Sequence, residues 1–391
     1  FKMKVIGMIS GTSYDGIDVA CCEFVQSGDL VEVRVIGFES VKYTDSLHEM
    51  IADSMPPRKV DMERVCILDT KIGQAFSAAA QSVMKKFKFE PDLIVSHGQT
   101  LFHWIDTDHK AKGTLQLGEP TWIAEETGVQ VLSNIRSRDV AAGGHGAPLV
   151  SIVDQLLLGN SAAPEGALNL GGISNITVAG SNLIPLAYDI GTANCLLDAA
   201  IYAHSEGKYS YDADGKLAAS GTVDKELLAK FLTEPYYQLP APKSTGKELF
   251  HLDYLIDYVG PVSSWNIADL MATLLELTVE TVAIEVEKFK LAKLYIAGGG
   301  SANPVMMARL QERLTNCQVL SMQVLGIDPR AKEGLMFALI GYLALNGQPG
   351  QIPSCTGANG ERILGSLTPG KGAFVLPQRP NIQPTKLRVI E

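Results

Sequence analysis

Three times along the chain, an apolar strand runs directly into a turn of small residues. Val5–Ile9 meets Ser10-Gly11-Thr12-Ser13, Gly166–Leu170 meets Gly171-Gly172, and Leu294–Ala297 meets Gly298-Gly299-Gly300. Such a turn can aim several backbone N–H groups at one point, and it stands at the end of a buried strand, where α/β sheets bind ligands. The first two junctions are followed by further strands of similar spacing, Ile17–Phe24 and Glu32–Phe38 after one, Ile173–Val178 and Leu183–Tyr188 after the other. This repetition predicts a duplicated α/β chain, two similar domains facing a cleft.

The length agrees, since 391 residues exceed one ordinary core. The glycine-rich stretch Val140–Pro148 is the expected hinge. It divides the chain into a first domain over 1–140, with 355–372 packing back on it, and a second over 141–354. Residues 378–391 are expected to form a mobile tail. Helices are expected over Ser46–Asp53, Val65–Phe87 and Ala193–His204, with another starting near Asn303-Pro304 and an amphipathic one over Glu333–Leu345.

Composition removes several function classes. The net charge is −10 and no Lys/Arg run tracks a phosphate backbone, which disfavours nucleic acid as a partner. The first apolar run breaks at Ser10, so it reads as a buried strand rather than a leader, and Phe1-Lys2 ahead of Met3 is expected to be an added remnant. No apolar segment reaches the roughly 20 residues of a membrane span. The expected compartment is the cytoplasm. Six cysteines, in no metal or redox spacing, are expected to be reduced core thiols.

Neither the phosphate-loop pattern G-x-x-x-x-G-K-[ST] nor G-x-G-x-x-G occurs. The turn Ser10–Asp18 remains as a phosphate-binding candidate, with Asp15 or Asp18 suited to a magnesium-bound water. Asp189, after an apolar strand and before a helix, is either a general base or a helix N-cap, and both readings stay open. His97, Gln99 and Thr100 offer a donor, an amide and a hydroxyl suited to a sugar, although His97 could equally be a hydrogen-bonded core residue. Trp104 could stack on a sugar but reads better as core. Arg136 and Arg138 offer a fork for a carboxylate or phosphate, or a surface salt bridge beside Asp139. Glu333 at a helix start is, on its own, ordinary dipole matching.

Gly7–Asp18, Ser96–Thr100, Arg138–Gly144, Asn169–Asn175 and Lys243–Glu248 together resemble the signatures of the 1,6-anhydro-N-acetylmuramic acid kinases. The resemblance runs from Ile6 to about Pro369. It implies the two-domain actin/hexokinase-like (ribonuclease H-like) α/β fold with an interdomain active-site cleft. It also implies ATP and Mg2+ as cofactors, a small anhydro sugar as substrate and a possible homodimer. Gly11, Thr12, Ser13, Asp15 and Asp18 would belong to the first phosphate loop, Gly171 and Gly172 to the second, and Gly298, Gly299 and Gly300 to the adenosine side. Asp189 would activate water at the anomeric carbon, His97, Gln99, Thr100 and Arg136 would meet the sugar, and Asp18 with Glu333 would lie at the metal. Phe102 stands where many relatives carry arginine, and His145 where glutamine is usual. Two other readings are a kinase for a simpler anhydro sugar such as levoglucosan and a non-catalytic actin- or chaperone-like ATPase.

Overall fold

The computed structural model describes residues 2–12, 14–108, 110–246, 249–378 and 380–391. It divides into two units, Phe1–Leu157 with Leu325–Glu391 and Leu158–Val324. In the first unit β1 (Lys2–Ser10), β2 (Gly16–Ser27) and β3 (Leu30–Lys42) form an antiparallel meander. Then β4 (Leu93–Ile105) pairs parallel with β1, β5 (Ala111–Leu117) folds back on the outer half of β4, and β6 (Val131–Ser133) pairs parallel with β4. β1 is buried on both faces because helices cover both. Helix Met62–Phe87 lies over Ile6, Met8 and Val19, and helix Lys332–Leu345 lies over Gly7, Ala20 and Val95.

The second helix sits so close that only glycine fits at the contact. A Cβ on Gly7 would stand 2.0 Å from the Gly334 carbonyl oxygen, and one on Gly341 would stand 2.2 Å from a Val95 methyl. Gly7→Val should therefore destabilise the fold by about 1–3 kcal/mol or more, measurable by urea denaturation. This helix was expected to be amphipathic, yet it is buried on almost every side. Gly350 and Leu364 from the following loop cover Ile340, so its outer face is not solvent.

The second unit repeats the plan. β7 (Glu165–Leu170), β8 (Ile173–Ala179) and β9 (Leu186–Thr192) form the meander, and β10 (Lys293–Ala297) and β11 (Gln318–Ser321) add parallel strands. The order β9-β8-β7-β10-β11 matches β3-β2-β1-β4-β6 strand for strand. A ribonuclease H-like sheet is thus duplicated, which is the actin/hexokinase-like fold.

The chain then returns to the first unit. β12 (Ser366–Thr368) pairs with β6, and β13 (Lys386–Val389) pairs in parallel with β3. The expected mobile tail is therefore corrected: Leu387 is buried, and Thr385 and Lys386 both bond to Asp29. Lys2 likewise pairs with Val25 inside β1. The expected domain limits are also corrected, because 141–157 and 325–354 belong to the first unit. The Gly-rich stretch 140–148 is pinned there by Asp139, a fully buried carboxylate that accepts from the Gly146 amide and the Thr356 hydroxyl, both at 2.7 Å. Asp139→Ala would orphan both donors and should cost about 1–3 kcal/mol each in the same denaturation assay.

Candidate active site

The first glycine turn is held from below by Gln99. This fully buried amide accepts from the Ser10 hydroxyl and donates to the Gly11 carbonyl at 3.1 Å. A register shift between β1 and β4 brings Ser10 opposite Gln99. Gln99, expected at the sugar, thus acts on the loop instead. Thr12 and Asp15 are exposed on the turn, and Ser13 lies outside the described residues.

The glycines separate into two kinds. A Cβ on Gly300 would meet that of Leu170 at 2.7 Å, and Gly298 combines a φ of +85° with a 2.7 Å approach to Asn169, so internal structure requires both. Gly171 is intermediate, with Asn169 3.3 Å from its Cβ position, while the Gly171 and Gly172 carbonyls accept the amides of Asn194, Ala193 and Cys195. Gly11 and Gly299 are different. Neither has a positive φ, and a Cβ on either would meet no atom within 4 Å. Packing does not explain these two glycines, whose backbone faces open space.

Asp18 on β2 and Glu333 at the start of helix Lys332–Leu345 form an acidic pair in the first unit. Partial burial raises the Asp18 carboxyl above its usual value, against the opposing bond from Ser40. Glu333 reaches solvent despite the protein packed around it; that packing, and then the charge of Asp18, raise its carboxyl too, with Arg136 and Lys332 pulling the other way. A carboxylate whose ionisation is opposed by a neighbouring carboxylate suits, with that neighbour, a divalent cation. Two carboxylates alone leave most of a cation's shell to water, which a hard ion such as Mg2+ accepts; among the described residues no group of three or more His, Cys, Asp or Glu side chains is placed to hold a metal ion.

The raised carboxyl has a signed consequence for stability. Between the ordinary glutamate value near 4.3 and its raised folded value, the folded chain holds a proton that the unfolded chain releases, so stability falls as pH rises through that window. Glu333→Gln should therefore raise the melting temperature at neutral pH without metal and shrink the further rise caused by Mg2+. Equal Mg2+ shifts in both proteins would contradict this role.

Arg136, just after β6, donates Nε–H to His97 Nε2 at 2.7 Å and Nη1–H to the Gly146 carbonyl at 2.7 Å. Burial pulls its guanidinium down to about 10, against the pull of Glu333 and Asp139 in the other direction. The expected alternative, an ion pair with Asp139, is absent, and Arg138 is exposed. Thr100 accepts from Gln116 at 3.2 Å. Trp104, expected in the core, is 49% exposed beside Phe102 at 50%, because β4 and β5 extend beyond the helices that cover the sheet. Cys66 is likewise exposed, unlike the other five cysteines.

In the second unit Asp189 lies inside β9, not at a helix start. The cap of helix Cys195–His204 is Asn194, which removes the N-cap reading. A β-bulge between Asp189 and Gly191 re-aims the strand at this point. The Asp189 carboxylate accepts from the Thr245 amide at 3.0 Å, its own amide donates to Lys243, and its carbonyl accepts from the Tyr236 hydroxyl. The loop Lys243–Gly246 thus wraps the carboxylate. Lys247 and Glu248 lie outside the described residues.

A family profile described as anhydro-N-acetylmuramic acid kinase matches residues 3–370. The chain belongs to this kinase family. The anhydro-N-acetylmuramic acid kinase of Streptomyces coelicolor is 46% identical over 389 residues, covering 99% of each chain. That of Rhodococcus erythropolis is 46% identical over 376 residues, covering 94% of each, and that of Xylella fastidiosa is 38% identical over 93% of this chain and 96% of its own. A member of the anhydro-N-acetylmuramic acid kinase family is a phosphotransferase. In this one, no helix among the described residues is long and apolar enough to cross a membrane. Sequence reasoning missed the inward-facing roles of four residues that build the site from beneath: Ser10, Asp139, Lys332 and Thr356. Each is buried and polar, and each answers a partner 89 or more positions away or, for Asp139, a turn whose shape the sequence does not state.

Proposed function

We propose that this chain is an ATP- and Mg2+-dependent kinase of 1,6-anhydro-N-acetylmuramic acid, acting in cytoplasmic recycling of cell-wall sugars. Asp189 takes a proton from water as its oxygen bonds to C1, the C1–O6 bridge breaks, and O6 bonds to the γ-phosphorus as ADP leaves. The products are N-acetylmuramic acid 6-phosphate and ADP, with the proton passing from Asp189 to solvent. One observation supports the reading above others: Asp189 sits in a bulged strand, bonded by a backbone amide, while the N-cap position of the following helix falls on Asn194. Such an aspartate suits water activation beside a sugar carbon of oxocarbenium character.

Gly11, Thr12 and Gly299 each have backbone open to phosphate oxygens. Magnesium, when bound, supplies charge neutralisation at the transferring phosphoryl group, and Asp18 and Glu333 would hold it. Arg136 is the group for an acidic substituent on the sugar. The test is phosphorylation in labelled water: the product should carry the label at C1, and an unlabelled product would exclude coupled hydrolysis. Gly11→Val should raise the KM for ATP about tenfold or more with an unchanged melting temperature, since a single lost phosphate contact is worth that factor. A normal KM would remove Gly11 from the nucleotide site.

A further inference from the structure

His97 was expected to meet the sugar, but both of its ring nitrogens are engaged within the protein. Nδ1 lies 2.9 Å from the Gly98 carbonyl, which only an N–H can approach in this way, so Nδ1 carries the hydrogen. Nε2 is then a lone-pair acceptor, and it takes the Arg136 Nε–H at 2.7 Å. Burial, followed by the charge of Arg136, holds the ring well below its usual pKa, so this acceptor persists at neutral pH. Phe337 packs against the ring with centroids 4.8 Å apart and fixes its plane.

Arg136 is therefore gripped on one side. Nε and Nη1 are bound by neutral acceptors, the His97 ring and the Gly146 carbonyl. Gly146 is itself held by Asp139. No carboxylate among the described residues lies within 4.0 Å of Arg136. A half-buried cation whose bonds are all to neutral groups keeps its charge for an anion from outside, with its Nη2 edge unspent.

We infer that His97 is a positioning residue for substrate choice: it locks the guanidinium so that its remaining edge meets a carboxylate on the sugar, favouring an acidic over a neutral anhydro sugar. This rests on the anhydro-sugar reading of the site. Lysine could not replace the arginine here, because the lock needs Nε and the recognition needs the terminal nitrogens.

Two measurements test it. His97→Leu should lower kcat/KM for 1,6-anhydro-N-acetylmuramic acid about tenfold or more, mainly through KM, but lower it for neutral levoglucosan by less than about threefold. His97→Gln, whose amide oxygen can replace Nε2 as acceptor, should keep the wild-type preference and covers the case in which His97→Leu folds poorly. An equal loss on both sugars in His97→Leu, or a lost preference in His97→Gln, would overturn the inference. Independently of turnover, D-lactate binding followed by NMR should be present in wild type and His97→Gln and lost in His97→Leu and Arg136→Met. Retention of lactate by His97→Leu would also overturn it. If wild type phosphorylates neither sugar while lactate binding follows this pattern, the proposed function fails and the role of His97 stands.

Discussion

Asp189→Asn is expected to lower kcat by about a thousandfold, within the range general bases contribute, while ATP affinity changes less than about twofold. The substitution is nearly isosteric. An asparagine oxygen can still accept from the Thr245 amide, so the bulged strand and the loop Lys243–Gly246 should keep their places. What is lost is the capacity to take a proton from water. Single-turnover phosphorylation reads the chemical step, and calorimetry reads nucleotide binding. A variant that turns over at the wild-type rate would mean that another group is the base.

Lys332→Met is the largest expected effect on stability, about 3–5 kcal/mol in urea denaturation. Lys332 is 8% exposed and Asp154 1%, and their charges meet at 2.7 Å. Removing the ammonium leaves a carboxylate buried without its counter-ion. The pair joins helix Ser151–Leu158, the last before the chain leaves the first unit, to helix Lys332–Leu345, the first long one after it returns. Because Lys332 also lowers the Glu333 carboxyl, its loss should push that group higher still and weaken the Mg2+ response. The double variant Lys332→Met, Asp154→Leu should recover most of the stability, since the cost lies in the orphaned charge rather than the missing bond. A loss below about 1 kcal/mol in the single variant would mean that water reaches Asp154.

Strands and turns were legible because the relevant signals are local. An apolar run ending in glycines announces β1, β7 and β10, and repetition of the pattern announces the duplication. Local signals mislead where a distant element decides. Helix Lys332–Leu345 could not show its second buried face, because Gly350 and Leu364 supply the cover. The stretch 140–148 looked flexible until Thr356, over 200 residues from Asp139, closed the network around it. Among the candidate site residues, Asp189 and Asp18 stood out by position. Gln99 and His97 also stood out, but their side chains turn inward to Ser10, Gly11 and Arg136. No spacing rule distinguishes a polar side chain that grips a ligand from one that grips the residue that does.

The return of β13 to the edge of β3 also bears on the order in which this molecule can be made. During translation, residues 158–324 emerge as one uninterrupted stretch and can mature early, while the first unit waits for β12 and β13, which are made only after that stretch. Until Lys386–Val389 is delivered, β3 offers a naked hydrogen-bonding rim to any neighbouring chain. A product that stops short of β13 would keep Asp189 and the glycine turns intact and still be prone to clump.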